Sequence, residues 1–229
     1  MKFEQRTLQI LKNYATINPS LQFKMGGDDG SILTTISPVK TVMAKAKIKE
    51  SIPSTFAIYD LSRFLGVMSL FDSPEISLDE RSLIVSGGNR QVQYTYADPK
   101  LIVSPGDKDI KLPDPEISFA LTSEVMQTVI KAMGVLGLPE IAITGEGGSI
   151  KVQAIDSKNP SGDIFSVDVQ DAIYKIDPNA KFRMILLSEN MKMLSENYTV
   201  NISSKGLAHF VGNSIEYWVA TESSSTYSS

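Results

Sequence analysis

The 229-residue chain is 42% hydrophobic and 21% charged, enough apolar material for one large domain or two of about 100 residues. It has no cysteine, which excludes disulfides, thiolate metal sites and cysteine nucleophiles, and its net charge of −4 excludes a surface coated in basic patches. The longest charge-free stretch, Asn13 to Phe23, contains Pro19 and falls far short of the roughly 18 apolar residues of a membrane-spanning helix.

Charges in Met1-Lys2-Phe3-Glu4-Gln5-Arg6 stand where an export signal would place its apolar core, so an intracellular home is expected. Glu4 to Ile17 then reads as an amphipathic helix, followed by strand-like segments at Leu21 to Met25 and Ser31 to Ile36. A second helix opens at the N-cap Asp60 and carries Leu61, Phe64, Leu65, Met68 and Phe71 at helical spacing. Three strands follow at Glu75 to Leu78, Ser82 to Ser86 and Gln91 to Tyr96, the last two joined at Gly87-Gly88-Asn89.

The second half runs through the same order. A helix is expected at Ser123 to Leu136, strands at Glu140 to Thr144 and Ser149 to Ile155 across Gly145-Glu146-Gly147-Gly148, and a second helix from Ser188 carrying Met191, Leu194 and Tyr198. Closing strands are Thr199 to Ser203, Leu207 to Val211 and Ser214 to Ala220. The segment Gln91-Val92-Gln93-Tyr94-Thr95-Tyr96-Ala97 aligns with Ser214-Ile215-Glu216-Tyr217-Trp218-Val219-Ala220, about half a chain length later. Between the halves, Pro99, Pro105, Pro113 and Pro115 cannot serve a central strand. The expected division is a first domain at 1–103, a connection at 104–116, a second domain at 117–222 and a flexible polar tail at 223–229. Chance similarity within one α+β domain is the alternative.

On the first helix, Phe3, Leu8, Ile10, Leu11, Tyr14, Ala15 and Ile17 cover one half of the wheel. The opposite arc holds Gln5, Arg6, Gln9, Lys12, Asn13 and Thr16, with two cations and no carboxylate. Arg63, Lys131 and Lys192 sit in similar polar company on the other three helices. An acidic protein thus carries weakly basic, amide-rich helix faces, suited to loose contact with phosphates. Ordinary solvated helices would fit the same residues.

Several segments carry a family likeness. Met1-Lys2-Phe3 with Ile10-Leu11-Lys12-Asn13-Tyr14-Ala15-Thr16-Ile17, Ala57-Ile58-Tyr59-Asp60-Leu61, Phe64-Leu65, Ser69-Leu70, Ile141-Ala142-Ile143-Thr144, Asn190-Met191-Lys192 and Asn197-Tyr198 resemble, in order, the sliding clamps of T-even-type bacteriophages. The likeness fades at Lys40 to Ser54 and Asp156 to Ala180. It implies an α+β fold of two similar clamp-type domains, each with two helices packed on antiparallel sheet, closing head to tail into a homotrimeric ring around duplex DNA. It also implies channel-facing roles for Lys12, Lys131 and Lys192; Arg6 and Arg63 join them from the helix arcs alone. The family often has a further cation where this chain has Gln5 and Gly134. The implied partners are a replicative DNA polymerase and an ATP-dependent clamp loader, docking near the connection, where Val103, Ile110, Leu112 and Pro113 are the candidate lining. The same four residues would serve equally as ordinary connection residues.

Catalytic readings find little purchase. Gly145-Glu146-Gly147-Gly148 lacks the lysine of a phosphate loop, and Gly27-Asp28-Asp29-Gly30 lacks the spacing of a calcium loop. His209 lies in a strand-like run with no nucleophile motif beside it, and Asp72, Asp79 and Glu80 cluster near turns. The expectation is a processivity factor in the host cytoplasm, not an enzyme, with no cofactor, metal or membrane. The alternatives are a virion structural protein of duplicated β-rich domains and a carboxylate-dependent enzyme.

Overall fold

A computed structural model describes residues 1–106, 110–169 and 173–229. The chain forms two compact units, Met1–Lys108 and Asp109–Ser229. The break falls inside the expected connection, of which residues 107–109 lie outside the described residues.

The first unit runs α1 (Gln5–Ile17), β1 (Leu21–Phe23), β2 (Ser31–Ile36), β3 (Val42–Ile48), β4 (Phe56–Ile58), α2 (Leu61–Met68), β5 (Glu75–Leu78), β6 (Ser82–Gly87) and β7 (Arg90–Thr95). Helix α1 buries Thr7, Ile10, Leu11, Tyr14 and Ile17. The Tyr14 hydroxyl donates to the Leu33 carbonyl of β2 at 3.0 Å, so a fully buried phenol fixes the helix on its sheet. Pro19 lies just past the helix, and Asn18 at its end is already extended. Phe23 of β1 stacks on Phe56 of β4 at 4.6 Å, Phe56 on Tyr96 at 5.3 Å, and Phe64 of α2 meets Tyr94 of β7 edge-on at 5.7 Å. One aromatic cluster therefore ties α2 and both ends of the unit together.

The start of α1 lacks a side-chain cap of its own. Glu50 supplies one from a distance, accepting from the Glu4 amide and, at 2.7 Å, from the Thr7 hydroxyl. A carboxylate at the helix start also meets the positive end of its dipole. Glu50→Ala is expected to cost about 1–2 kcal/mol, the usual range for a lost cap, read as a lower melting temperature by circular dichroism; an unchanged melt would show that the cap contributes nothing.

The second unit runs β8 (Ile117–Leu121), α3 (Ser123–Leu136), β9 (Glu140–Glu146), β10 (Ser149–Ile155), β11 (Phe165–Val169), β12 (Ile173–Lys175), β13 (Lys181–Leu187), β14 (Tyr198–Ser203), β15 (Leu207–Val211), β16 (Ile215–Ala220) and β17 (Thr226–Ser228). One antiparallel sheet has the order β11-β10-β9-β13-β17, and β12-β8-β14-β15-β16 run side by side in another. Thr122 caps α3 through the Val125 amide, and Gly137 closes it in the left-handed region at φ 67°.

The internal repeat is visible in matched bonds. The Leu61 amide at the start of α2 donates to the Pro19 carbonyl at 2.7 Å, and the Ser188 amide donates to the Pro139 carbonyl at 2.9 Å. Each proline follows the first helix of its unit. Each unit closes in a three-strand meander, β5-β6-β7 and β14-β15-β16. The segment preceding the first helix pairs with the first strand of that meander, through Met1 and Ile76 in one unit and β8 with β14 in the other.

Three expectations are corrected. The fourth helix is absent: Ser188–Asn190 forms a single 3-10 turn, so the second unit has one α-helix among the described residues. The Leu194 amide donates to the Tyr217 hydroxyl at 3.1 Å and its carbonyl accepts from the Tyr198 hydroxyl at 2.6 Å. Two tyrosines thus take backbone groups that a helix would have paired, and these tertiary bonds override the good helix formers Met191, Lys192, Met193 and Leu194. The tail, expected to be flexible, forms β17 on the edge of β13, with Tyr227 stacked on Phe182 at 6.3 Å. The glycine-rich turn is also shorter than the sequence suggests, because β9 extends to Glu146. Gly145 is a strand residue, and a Cβ there would come within 2.2 Å of the Phe182 ring.

Candidate nucleic-acid interface

In the first unit, α1 and α2 pack against each other and carry Arg6, Lys12 and Arg63. Gln5, Gln9, Lys12 and Thr16 are exposed, and Arg6 and Asn13 are half-buried, so the polar arc of α1 faces outward. The Asp60 side chain accepts from the Arg63 amide at 2.8 Å. Arg63 is exposed in the first turn of α2, three residues after Asp60. Burial, assisted by Asp60, raises the Tyr94 phenol above its ordinary value, and Arg63 opposes that shift. Arg6 and Lys12 share the stripe of α1 that has no carboxylate, and Lys12 is the more exposed of the two.

In the second unit, Lys131 on α3 and Lys192 are both exposed. Lys192 is not on a helix, yet the chain holds it beside α3. Asn197 accepts from the Ser123 amide at 2.8 Å, and Gln127 of α3 donates to the Ser195 hydroxyl. Lys192 and Met191 line a groove of about 530 Å³ with Ile130, Met133, Gly134 and Leu138. Gln127 and Asn197 thus tie the segment that carries Lys192 to the helix that carries Lys131. Gly134 lines the same groove with open space around it, since a Cβ there meets nothing within 4 Å.

The four candidate partner residues divide between the units. Val103 is 41% exposed in the first, whereas Ile110, Leu112 and Pro113 are half-buried in the second. Sequence reasoning missed Asn18, which is 2% exposed. Its amide nitrogen donates to the Ile36 carbonyl at 2.9 Å and the Val103 carbonyl at 2.8 Å, and its oxygen accepts from the Ser20 amide and hydroxyl. A satisfied buried amide thus pins Val103 to the end of β2. Its only sequence signal is an asparagine directly before Pro19.

His209 pairs across the strands with Trp218, stacked at 4.4 Å, and meets Glu216 at 2.9 Å. Burial lowers its pKa, against the pull of the Glu216 carboxylate. Asp79 accepts from the Glu80 amide in a turn. Among the described residues no group of three histidines or carboxylates could hold a metal, and no helix is long and apolar enough to cross a membrane.

Two family models match, one described as DNA polymerase processivity factor over residues 2–104 and one as gp45 sliding clamp, C terminal, over residues 118–223. The sliding clamp of Vibrio phage KVP40 is 32% identical over 228 residues, covering 97% of this chain and 99% of that protein. The sliding clamp of Enterobacteria phage T4 is 32% identical over 232 residues, covering 99% of each. Among solved structures, A. fulgidus PCNA bound to the C-terminal region of FEN-1 matches with a TM-score of 0.74 at 13% identity, over 96% of each chain, a likeness of fold.

Proposed function

The chain belongs to the sliding-clamp family of T-even-type phages, and on that premise we infer that its working form is a homotrimeric ring of six similar units. It is a DNA sliding clamp, which encircles duplex DNA and tethers the replicative polymerase as a processivity factor. The observation that carries this is the full-length match at 32% identity, joined to two units built on one plan. The virion-structural reading rested on duplicated β-rich domains alone, and the family accounts for the duplication without it.

Enclosure asks little of individual residues. The ring holds DNA by topology, so its inner surface needs weak, sequence-neutral contact that never becomes a tight site. Lys12, Lys131 and Lys192 supply that contact in our reading, with Arg6 and Arg63 as lesser contributors, amounting to five cations per subunit. The chain itself makes and breaks no bond. A closed ring is loaded by an ATP-driven opener in the host cytoplasm, and Val103, Ile110, Leu112 and Pro113 contribute to partner docking.

Head-to-tail closure needs two different surfaces on each subunit. Each unit offers an edge strand, β7 at the end of its three-stranded sheet and β11 at the end of its five-stranded sheet. We assign ring closure to the antiparallel pairing of β7 with β11 of the next subunit. Loaded clamps are expected to survive gel filtration on nicked circular DNA and to be lost once the circle is cut. Equal retention on the linear product would overturn enclosure.

A further inference from the structure

We propose that β17 is an exchangeable strand, holding the edge of β13 for an extended partner peptide that carries an aromatic residue between two acidic ones. The tail residues Glu222-Ser223-Ser224-Ser225-Thr226-Tyr227-Ser228 bring a single large apolar side chain to this edge. Only three residues pair: Lys181 with Ser228, Phe182 with Tyr227 and Arg183 with Thr226. Nearby, the Glu222 amide donates to the Ile185 carbonyl at 2.8 Å, and the Ile185 amide donates to the Ser225 hydroxyl at 2.9 Å. The tail thus bonds to the edge of β13 between Lys181 and Ile185 but is weakly held, since each ordered tail residue costs conformational entropy that a polar strand recovers poorly.

The chemistry of the edge selects its occupant. Phe182 is 3% exposed, lies over the space left by Gly145 and presents its other side to Tyr227. That is a place for an aromatic ring. On the opposite face of β13, Lys181 and Arg183 are exposed, and the tail sets only a serine and a threonine against them. Lys181 has Glu146 at 3.1 Å, an exposed pair, and Arg183 makes no ion pair among the described residues. A strand with carboxylates on both sides of its aromatic residue would place both acids opposite these cations, because side chains alternate between faces. Strand addition to an edge is an established way to bind extended segments.

The test uses the full chain and a fluorescent heptapeptide, Ser-Thr-Glu-Phe-Glu-Thr-Ser, followed by anisotropy. Tyr227→Ala removes the stacking ring of the tail and is expected to tighten peptide binding about five-fold. Arg183→Ser is expected to weaken it about three- to five-fold, the scale of a cross-strand charge pair. A control peptide with serines in place of both glutamates should be weakened to a similar degree. Hydrogen exchange at the Ile185 amide should slow on peptide addition to the Tyr227→Ala chain. Binding that ignores Tyr227→Ala, or Arg183→Ser and the control peptide, would overturn the proposal, as would binding that leaves Ile185 exchange unchanged.

Discussion

Gln91→Pro is expected to leave the subunit folded and the ring unmade. The hairpin β6–β7 turns on two residues, so its closing pair, Gly87 and Arg90, is hydrogen-bonded, and bonded pairs then alternate along the ladder. By that alternation the Gln91 amide points away from β6, toward the open edge. Proline there removes a donor that the subunit does not use, at an edge position where proline is tolerated. At each interface the loss is about 1–3 kcal/mol, the cost of a buried unpaired backbone group. A closed trimer has three such interfaces, so the overall association constant falls by about 10²–10⁶-fold. Light scattering over a concentration series should give three times 25.1 kDa for the natural chain and a single 25.1 kDa subunit for the variant. Gln91→Ala keeps the amide and should remain trimeric. A proline variant with the full trimer mass would remove β7 from the interface.

Replacing Lys12, Lys131 and Lys192 together by alanine is the second large effect. The substitution removes three of five candidate cations per subunit, nine of fifteen in the ring, from exposed positions. Folding and trimer mass should hold. Loading and retention on circular DNA should weaken, and the dependence of binding on salt should flatten by up to about 8 in the log–log slope if all nine cations reach phosphates. The reverse change, Gly134→Lys, adds a cation where the helix has open space and should make binding tolerate more salt. Unchanged retention by the triple variant would mean that these lysines face elsewhere.

Local pattern made much of this legible. Helix α3 spans Ser123–Leu136 as expected, and its cap Thr122 and terminating Gly137 lie next to it in the chain. Asp60 caps α2, and both closing meanders were readable from alternation and turn chemistry. These elements announce themselves because the deciding interactions lie within a few residues. Strands β3 and β13 went unread although both are apolar and strand-like and follow the turn signals Ser37-Pro38 and Asp177-Pro178-Asn179.

The failures share a cause. The stretch after Ser188 has an apolar spacing that suits a helix, but Tyr198 and Tyr217 reach it from strands and satisfy its backbone another way. The tail has a composition that suits disorder, but Phe182 offers a ring to stack on and β13 an open edge. Asn18 looks like a residue before a proline, and its role depends on two carbonyls 18 and 85 residues away.

The sequence by itself determined the α+β class, the repeat, the family, and which side chains could carry positive charge on helix faces, because periodicity and composition are properties of neighbours along the chain. Tertiary structure alone decided that Lys192 stands beside α3 without a helix of its own, that Gly134 has room for a side chain, and that the tail becomes a strand. Each of those depends on what a distant segment brings to the same place, and a hydrogen bond or stacked ring from far along the chain can outweigh the modest preferences of local sequence.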